Sequence, residues 1–427
     1  MITELLKKIK NKNVKIGIVG LGYVGLPLAK TFCKKKLSVL GFDTDIKKIN
    51  KLRKGISYIN YFNNNQIREM NNNFSCFSNF NNISKCDVII LCLPTPIKKN
   101  KTPEMKYIQN SMKQIKNFLR TGQMLSLEST TYPGTSEEVI LPFLNEFRLG
   151  KNFFLTYSPE REDPGNKKFS NDKIPKVVGG YTSNCLKIGY ELYKLMGTKI
   201  IKVSSLKVAE MTKLLENIYR SVNIGLVNEL KLLCEKMNIN IFEIIEAAKT
   251  KPFGFHAFYP GPGYGGHCIP IDPFLLSWRA KKYNFKTKFI ELSGKINENM
   301  PKLICSKAEK FLKDKKKKCL IIGVAYKKNV DDMRESPSLK IFENLEKKKI
   351  KCDFYDPYVT EIKDLRKFDK IKKSIKLTAR NIRKYDLVIL ATDHDQINYM
   401  QLKNNSSMIF DCRGRFSTLK SKNIKQI

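Results

Sequence analysis

Short apolar runs alternate with helix-spaced patterns through the first half of the chain, which predicts a doubly wound parallel sheet. Strands are expected at residues 14–19, 38–42, 88–93, 124–128 and 154–157. Each closes on residues unusual for structure alone: Gly20, Asp43, Pro94-Thr95, Ser129-Thr130 and Pro159-Glu160. Ligands of open α/β sheets bind beyond the carboxyl ends of the strands, so these five ends mark one expected site. From about residue 205 the period changes. Val208, Met211, Leu214, Leu215, Ile218, Val222, Leu226, Leu230 and Leu233 recur at helical spacing. They predict one long helix, roughly 45 Å at about 1.5 Å per residue. Helical pattern continues to about residue 313, interrupted by a glycine- and proline-dense loop at 259–273. After the lysine run 315–318, a second α/β unit is expected, with strands at 319–324, 351–355, 387–391 and 408–410. The expected domains are therefore 1–204, a central helical domain at 205–314 carrying that loop, and 315–427.

Length and composition agree with this division. A chain of 427 residues exceeds one ordinary core, and 42% hydrophobic residues suffice for well-buried ones. No apolar run approaches the roughly 20 residues of a membrane span. The start, Met1-Ile2-Thr3-Glu4-Leu5-Leu6-Lys7-Lys8, lacks the apolar stretch and cleavage site of a signal peptide. It reads as a short charged helix on a cytoplasmic protein. Eleven cysteines are scattered singly without a CxxC pair, and Cys92, Cys234 and Cys319 fall in apolar segments. Reduced thiols, not a disulfide framework, are expected. His256, His267 and His394 lack metal-ligand spacing, and no metal is expected. The net charge of +39 would ordinarily suggest a nucleic-acid partner. Here lysines are spread evenly and accompanied by asparagine runs, a coding bias more than a binding stripe, and no nucleic-acid-reading motif occurs. The field still favours phosphorylated ligands.

Three constellations carry chemistry. Gly20-Leu21-Gly22-Tyr23-Val24-Gly25 follows a strand and opens a helix, where glycines admit a pyrophosphate against the backbone and the helix N-terminus faces it. Asp43 ends the next strand about 20 residues on, placed to accept ribose hydroxyls and to repel a 2′-phosphate, which favours NAD over NADP. Second, the loop Gly261-Pro262-Gly263-Tyr264-Gly265-Gly266-His267-Cys268-Ile269-Pro270-Ile271-Asp272-Pro273 wraps backbone closely and presents Cys268. A thiol so placed can attack an aldehyde and hold it for a second oxidation. His267, its neighbour on an extended loop, points elsewhere and is read as structural. Third, Glu210, Lys213, Asn217 and Arg220 or Ser221 form a polar stripe on the long helix. Such a stripe is ordinarily a solvated face, but Lys213 and Asn217, one turn apart, can both reach one oxyanion.

Taken together, GLGYVGLP, LCLPTP, ESTTYPGT, YSPEREDPGN, EMTKLLEN, PGPGYGGHCIPIDPF and AYKKNVDDMRESPS resemble the UDP-glucose/UDP-mannosaminuronate dehydrogenase family over nearly the whole chain. The likeness is greatest to bacterial UDP-N-acetylglucosamine 6-dehydrogenases of surface-polysaccharide synthesis. It implies two Rossmann-like domains, the N-terminal binding NAD and the C-terminal binding UDP, joined by a long dimerising helix. It implies a UDP-sugar substrate and a homodimer or higher homo-oligomer, with neither nucleic acid nor membrane as partner. It also implies roles: Cys268 as nucleophile, Lys213 and Asn217 at the oxyanion, and Asp272 four residues beyond the thiol. Glu160 and Thr130 manage protons and water, Thr95 and Arg334 lie against the cofactor, and Lys327 and Arg413 reach the uridylyl-sugar. Tyr259 and Gly265 are expected along the substrate, and Gly20, Gly22, Tyr23, Val24, Gly25, Asp43 and Thr130 along NAD.

UDP-glucose enzymes usually show Lys-Ser-Thr-Val-Pro and Gly-Gly-Ser-Cys where Glu128–Tyr132 and Gly266-His267-Cys268 stand here, which favours an N-acetylhexosamine. Mannosamine enzymes usually carry Ser-Pro-Val-Gly at residues 131–134. The expected reaction is a four-electron oxidation of the sugar C6 alcohol of UDP-N-acetylglucosamine; UDP-glucose and UDP-N-acetylgalactosamine are the alternatives. A two-electron dehydrogenase of the 6-phosphogluconate type has no use for Cys268. A non-catalytic nucleotide-binding scaffold has none for Lys213, Asn217, Cys268 and Asp272 together.

Overall fold

In the computed structural model, which describes residues 1–427 except 60, 61, 71, 99, 162–172, 267, 268, 316, 363–370 and 420, the strands are largely apolar runs buried on both faces. A parallel sheet covered by helices requires this. The chain divides into two units, Met1–Glu216 with Phe274–Phe285, and Asn217–Pro273 with Lys286–Ile427.

The first unit holds β1 (Lys15–Val19), β2 (Ser38–Phe42), β3 (Phe74–Phe77), β4 (Val88–Leu91), β5 (Met124–Leu127), β6 (Phe154–Tyr157), β7 (Lys176–Gly180) and β8 (Ile200–Lys202). They form one sheet in the order β3-β2-β1-β4-β5-β6-β7-β8. Pairing is parallel except between β6 and β7, where Thr156 faces Gly180 and Tyr157 faces Gly179. The first six strands follow the doubly wound order, whose direction reverses between β1 and β4 and opens a crevice at their carboxyl ends. The charged opening helix is present as Ile2–Lys10; it buries Leu5 and Ile9 and pairs Lys8 with Asp87 at 2.9 Å. The sequence pattern misses β3, β7 and β8. β7 reads Lys-Val-Val-Gly-Gly, and its glycines look like a turn although all five residues are buried.

The long helix runs Leu206–Lys236, 31 residues, about 46 Å at 1.5 Å per residue. Leu206, Ala209, Leu214, Ile218, Val227 and Cys234 are buried along it, whereas Val208, Met211, Leu215, Tyr219, Leu226, Leu230 and Leu233 are exposed. Gly225 admits the helix Lys288–Phe311, because a Cβ there would lie 3.1 Å from the Cβ of Ser293.

In the second unit β9 (Lys318–Ile322), β10 (Lys351–Tyr355), β13 (Leu387–Leu390), β14 (Ile409–Asp411) and β15 (Ile424–Gln426) form an all-parallel sheet, order β10-β9-β13-β14-β15. A separate antiparallel pair joins β11 (Glu361–Ile362) to β12 (Lys372–Lys373). Alternation in β9 sends Cys319 and Ile321 into one core and Leu320 and Ile322 into the other. The fold is α/β, with two Rossmann-like sheets and a long central helix. The ten described cysteines are buried and unbridged. Among the described residues no helix is long and apolar enough to cross a membrane.

Candidate functional site

At the end of β1, Gly20 turns the chain with φ +93°, and a Cβ there would stand 2.4 Å from the Cys92 carbonyl oxygen. Gly25 is equally constrained, its Cβ position lying 1.9 Å from the Gly20 carbonyl oxygen. Gly22 differs, with no described atom within 4 Å of its Cβ position. Two glycines therefore build the turn, and the third leaves backbone open to a ligand. Tyr23 is exposed, and Val24 caps the helix Gly25–Lys34 without a side-chain hydrogen bond, so the helix N-terminus is available to a phosphate. Asp43 closes β2: one oxygen accepts from the Leu21 N–H at 3.0 Å, the other from the Asp45 N–H at 3.0 Å, and Lys48 Nζ lies 3.3 Å away. These residues fit a dinucleotide: the open backbone at Gly22 suits a pyrophosphate and the carboxylate of Asp43 suits ribose hydroxyls.

Neighbouring strand ends are tied to one another. Thr95 donates its hydroxyl to the Thr130 carbonyl at 2.6 Å, and the Leu93 N–H bonds the Ser129 hydroxyl at 2.8 Å, which ends β4 two residues sooner than the apolar run suggests. Beyond β6, Glu160 accepts from the Arg161 N–H at 2.7 Å. Arg161 in turn meets Glu216 at 2.7 Å and the Pro175 carbonyl at 2.5 Å. Behind Glu160 lies Lys176, buried, 2.8 Å from Glu128 and 3.7 Å from Glu160. On the long helix Lys213 is buried, and Glu210 is not on a solvated face at all. Its carboxylate accepts from the N–H groups of Gly134 (2.5 Å) and Ser136 (2.8 Å) and from the Ser136 hydroxyl (2.8 Å). Burial nevertheless pushes its pKa up to about 7.

In the second unit Asn217 donates its amide to Asp272, the residue that opens the helix Asp272–Ala280. Upstream, the glycine-rich loop is held from both ends. The Gly261 N–H bonds the Asn228 amide oxygen at 2.9 Å, and Asn228 bonds Asn297 at 2.8 Å. A Cβ on Gly261 would lie 2.6 Å from the Arg413 guanidinium, and one on Gly265 would lie 2.6 Å from the Tyr326 Cβ. The Gly266 N–H reaches the Arg334 carbonyl at 2.9 Å. Arg413 is oriented by Asp393 at 3.0 Å and Arg334 by Asp332 at 2.7 Å. Lys327 stands one residue beyond Tyr326, whereas Tyr259 donates its hydroxyl to Glu246 at 2.6 Å. Cys268 and His267 lie outside the described residues.

The structure thus groups Gly20, Gly22, Gly25 and Asp43, then Thr95 with Thr130, in the first unit. In the second it joins Asn217 to Asp272, and Gly261, Gly265 and Gly266 to the surroundings of Arg334 and Arg413. Sequence reasoning missed Lys176, Asn228 and Asn297. Their partners are distant in sequence, and no local pattern distinguishes them from solvated polar residues.

Comparison with known proteins extends this picture. The model described as UDP-glucose/GDP-mannose dehydrogenase family, NAD binding domain, matches residues 14–197; the central domain matches 207–299 and the UDP binding domain 320–418. The chain is 33% identical to UDP-N-acetyl-D-glucosamine 6-dehydrogenase of Pseudomonas aeruginosa over 402 residues, 92% of this chain and 93% of the relative. It is 31% identical to UDP-N-acetyl-D-mannosamine dehydrogenase of Methanocaldococcus jannaschii over 394 residues, 90% of this chain and 86% of the relative. The solved UDP-D-ManNAc dehydrogenase of Pyrococcus horikoshii matches with TM-score 0.84 and 28% identity, covering 93% of this chain and 95% of that one.

Proposed function

Because the chain belongs to the UDP-glucose/GDP-mannose dehydrogenase family and is an NAD-dependent oxidoreductase, we propose that it oxidises the C6 alcohol of UDP-N-acetylglucosamine to the carboxylate. The reaction would serve surface-polysaccharide synthesis in the cytoplasm. The observation that carries this reading is the bond from Asn217 to Asp272. It ties the helix residue expected to face an oxyanion to the residue four past the thiol. One hydrogen of the Asn217 carboxamide is thereby fixed, and the nitrogen carries a second for a ligand oxygen.

NAD, when bound, would accept the hydride that leaves C6 in each of two oxidations, one NAD for each, and a base or ordered water takes the alcohol proton in the first. Between them the Cys268 sulfur adds to the aldehyde carbon, and the resulting oxygen charge faces Lys213 and Asn217. Loss of the second hydride leaves a thioester. Water adds to it, the C–S bond breaks, and the thiol returns. In the role the resemblance implies for it, Lys213 would favour the thiolate, since a positive neighbour lowers a cysteine pKa. Thr130 and Glu160 hold the water and its proton. Lys327 and Arg413 face the diphosphate-bearing substrate with Tyr259 and Gly265 beside it, while Thr95, Arg334, Tyr23, Val24 and the glycine turn hold NAD. Two protomers associate through the exposed stripe of the long helix.

The N-acetylated substrate is supported by Glu128–Tyr132 and Gly266–Cys268, and the gluco over the manno configuration by Thr131–Gly134 and by the Pseudomonas relative. The archaeal relatives named for the mannosamine substrate favour its C2 epimer as the second reading. Initial rates of NADH formation with UDP-N-acetylglucosamine, UDP-N-acetylmannosamine, UDP-N-acetylgalactosamine and UDP-glucose decide it. The first should give the highest kcat/KM and two NADH per sugar. Cys268→Ser should bind UDP-sugar normally yet turn over about a thousandfold more slowly or worse. A stoichiometry of one, or a serine variant with ordinary turnover, would refute the covalent mechanism; preference for another sugar would refute only the substrate.

A further inference from the structure

Glu160 stands on the loop three residues beyond Tyr157, and Lys176 three residues before Gly179. Tyr157 and Gly179 are partners in the antiparallel β6–β7 pair. Continuing that register sets Lys176 opposite Glu160, and the side chains do meet there, with Nζ 3.7 Å from the carboxylate. Nζ also lies 2.8 Å from Glu128, whose side chain has no exposed surface. The Tyr193 hydroxyl donates to the other oxygen of Glu128 at 2.7 Å and lies 2.8 Å from the Ser126 hydroxyl. The ammonium rests 5.1 Å from the Tyr193 ring centroid. Burial alone would push the Lys176 pKa down, but Glu128 and Glu160 outweigh it and hold the pKa above its ordinary value, so the ammonium keeps its charge.

This arrangement is asymmetric. Glu128 and Tyr193 are interior and cannot touch a substrate, whereas Glu160 keeps part of its surface exposed. A buried cation held from behind by one buried carboxylate, and facing a second that is partly exposed, acts as a fixed anchor for the second. We propose that Lys176 is a positioning residue that fixes the Glu160 carboxylate toward the reacting carbon, with Glu128 and Tyr193 fixing Lys176. The proposal rests on the reading of Glu160 as the group that handles the water and its proton. It also gives Glu128, which the sequence marks as a substrate-branch residue, an indirect way to act.

The test is a double-mutant cycle on the full-length protein with UDP-N-acetylglucosamine and NAD. Lys176→Met alone would strand the buried Glu128 charge, so the working variant is Lys176→Met with Glu128→Gln, its folding checked by thermal melting. Its kcat should fall about 10- to 100-fold with KM for UDP-sugar within about twofold, and Lys176→Arg should retain most of the activity. Glu160→Gln should lower kcat at least as far, and adding the double change to it should cost little more, because the anchor then has nothing to hold. A folded Lys176→Met/Glu128→Gln protein with ordinary kcat, or a loss that adds in full to that of Glu160→Gln, overturns the positioning role while Glu160 stands. Ordinary turnover by Glu160→Gln would instead remove Glu160 from the mechanism and the anchor with it.

Discussion

Glu210 lies where a helical pattern reads a polar stripe, yet its carboxyl is buried and stitches the Gly134–Ser136 turn to the long helix. Its pKa rises from 4.5 to about 7 because desolvation outweighs three hydrogen bonds to the ionised form. The folded chain therefore holds a proton between those values that the unfolded chain has released. Stability from this group is complete below pH 4.5 and is lost as pH climbs through 7, at most about 3 kcal/mol for a shift of this size. Glu210→Gln cannot titrate and loses one acceptor, so it should melt lower than the parent at pH 5. The difference should narrow steadily toward pH 8. Parallel melting profiles across that range would show that Glu210 does not titrate there. The same residue marks a limit of sequence reading. Its charge and helical phase were legible, but its burial depends on a turn more than 70 residues away.

The two sheets invite comparison element by element, because each begins with strand, glycine and aspartate in the same relation. The Gly20 N–H bonds the Phe42 carbonyl at 2.7 Å, and the Gly323 N–H bonds the Tyr355 carbonyl at 2.8 Å. Asp43 and Asp356 follow those strands. Asp43 remains partly exposed, with Lys48 beside it. Asp356 is enclosed: one oxygen takes the N–H groups of Val324 (2.8 Å) and Ala325 (3.1 Å) and His394 Nε2 (3.0 Å). His394 Nδ1 accepts from the Asn329 N–H at 2.9 Å, which leaves the proton on Nε2 to donate. The second sheet thus keeps the same glycine turn, with the acceptor oxygen of its aspartate taken up by protein donors. Asp43→Ala should narrow an NAD over NADP preference of about tenfold or more, helped by Lys48 freed to meet a 2′-phosphate. Asp356→Ala should leave the preference alone and lower the melting temperature, since buried donors lose their acceptor. kcat/KM with each cofactor checks both, and an altered preference in Asp356→Ala would refute the assignment. Such elements were readable where an apolar run stops at Gly or Asp, as in β1, β2 and β10. β7 and β15 escaped because three to five residues, some of them Gly or Lys, leave no period to count.

At the scale of the whole molecule, the long helix is apolar on more of its circumference than its own fold covers. Val208, Met211, Leu215, Tyr219, Leu226, Leu230 and Leu233 recur at helical spacing on its exposed side, Leu215 at 60% and Leu226 at 52% accessibility. A soluble helix normally turns charged residues outward, so an apolar stripe along some seven to eight turns asks for a covering surface. A second copy of the same stripe, related by a two-fold axis, supplies one of matching length and composition. Charge opposes the pairing, because each chain carries +39. Salt screens that repulsion over distances beyond about 8–10 Å while leaving apolar burial intact. The intact protein should therefore sediment as a dimer at micromolar concentration, and the dimer should tighten as salt rises from about 0.05 to 0.5 M. Leu226→Glu with Leu230→Glu places two carboxylates in the stripe and should yield a folded monomer in the same experiment. A monomeric parent, or a dimer that dissociates on adding salt, would mean that the stripe is not the seam and that charge, not apolar contact, governs association.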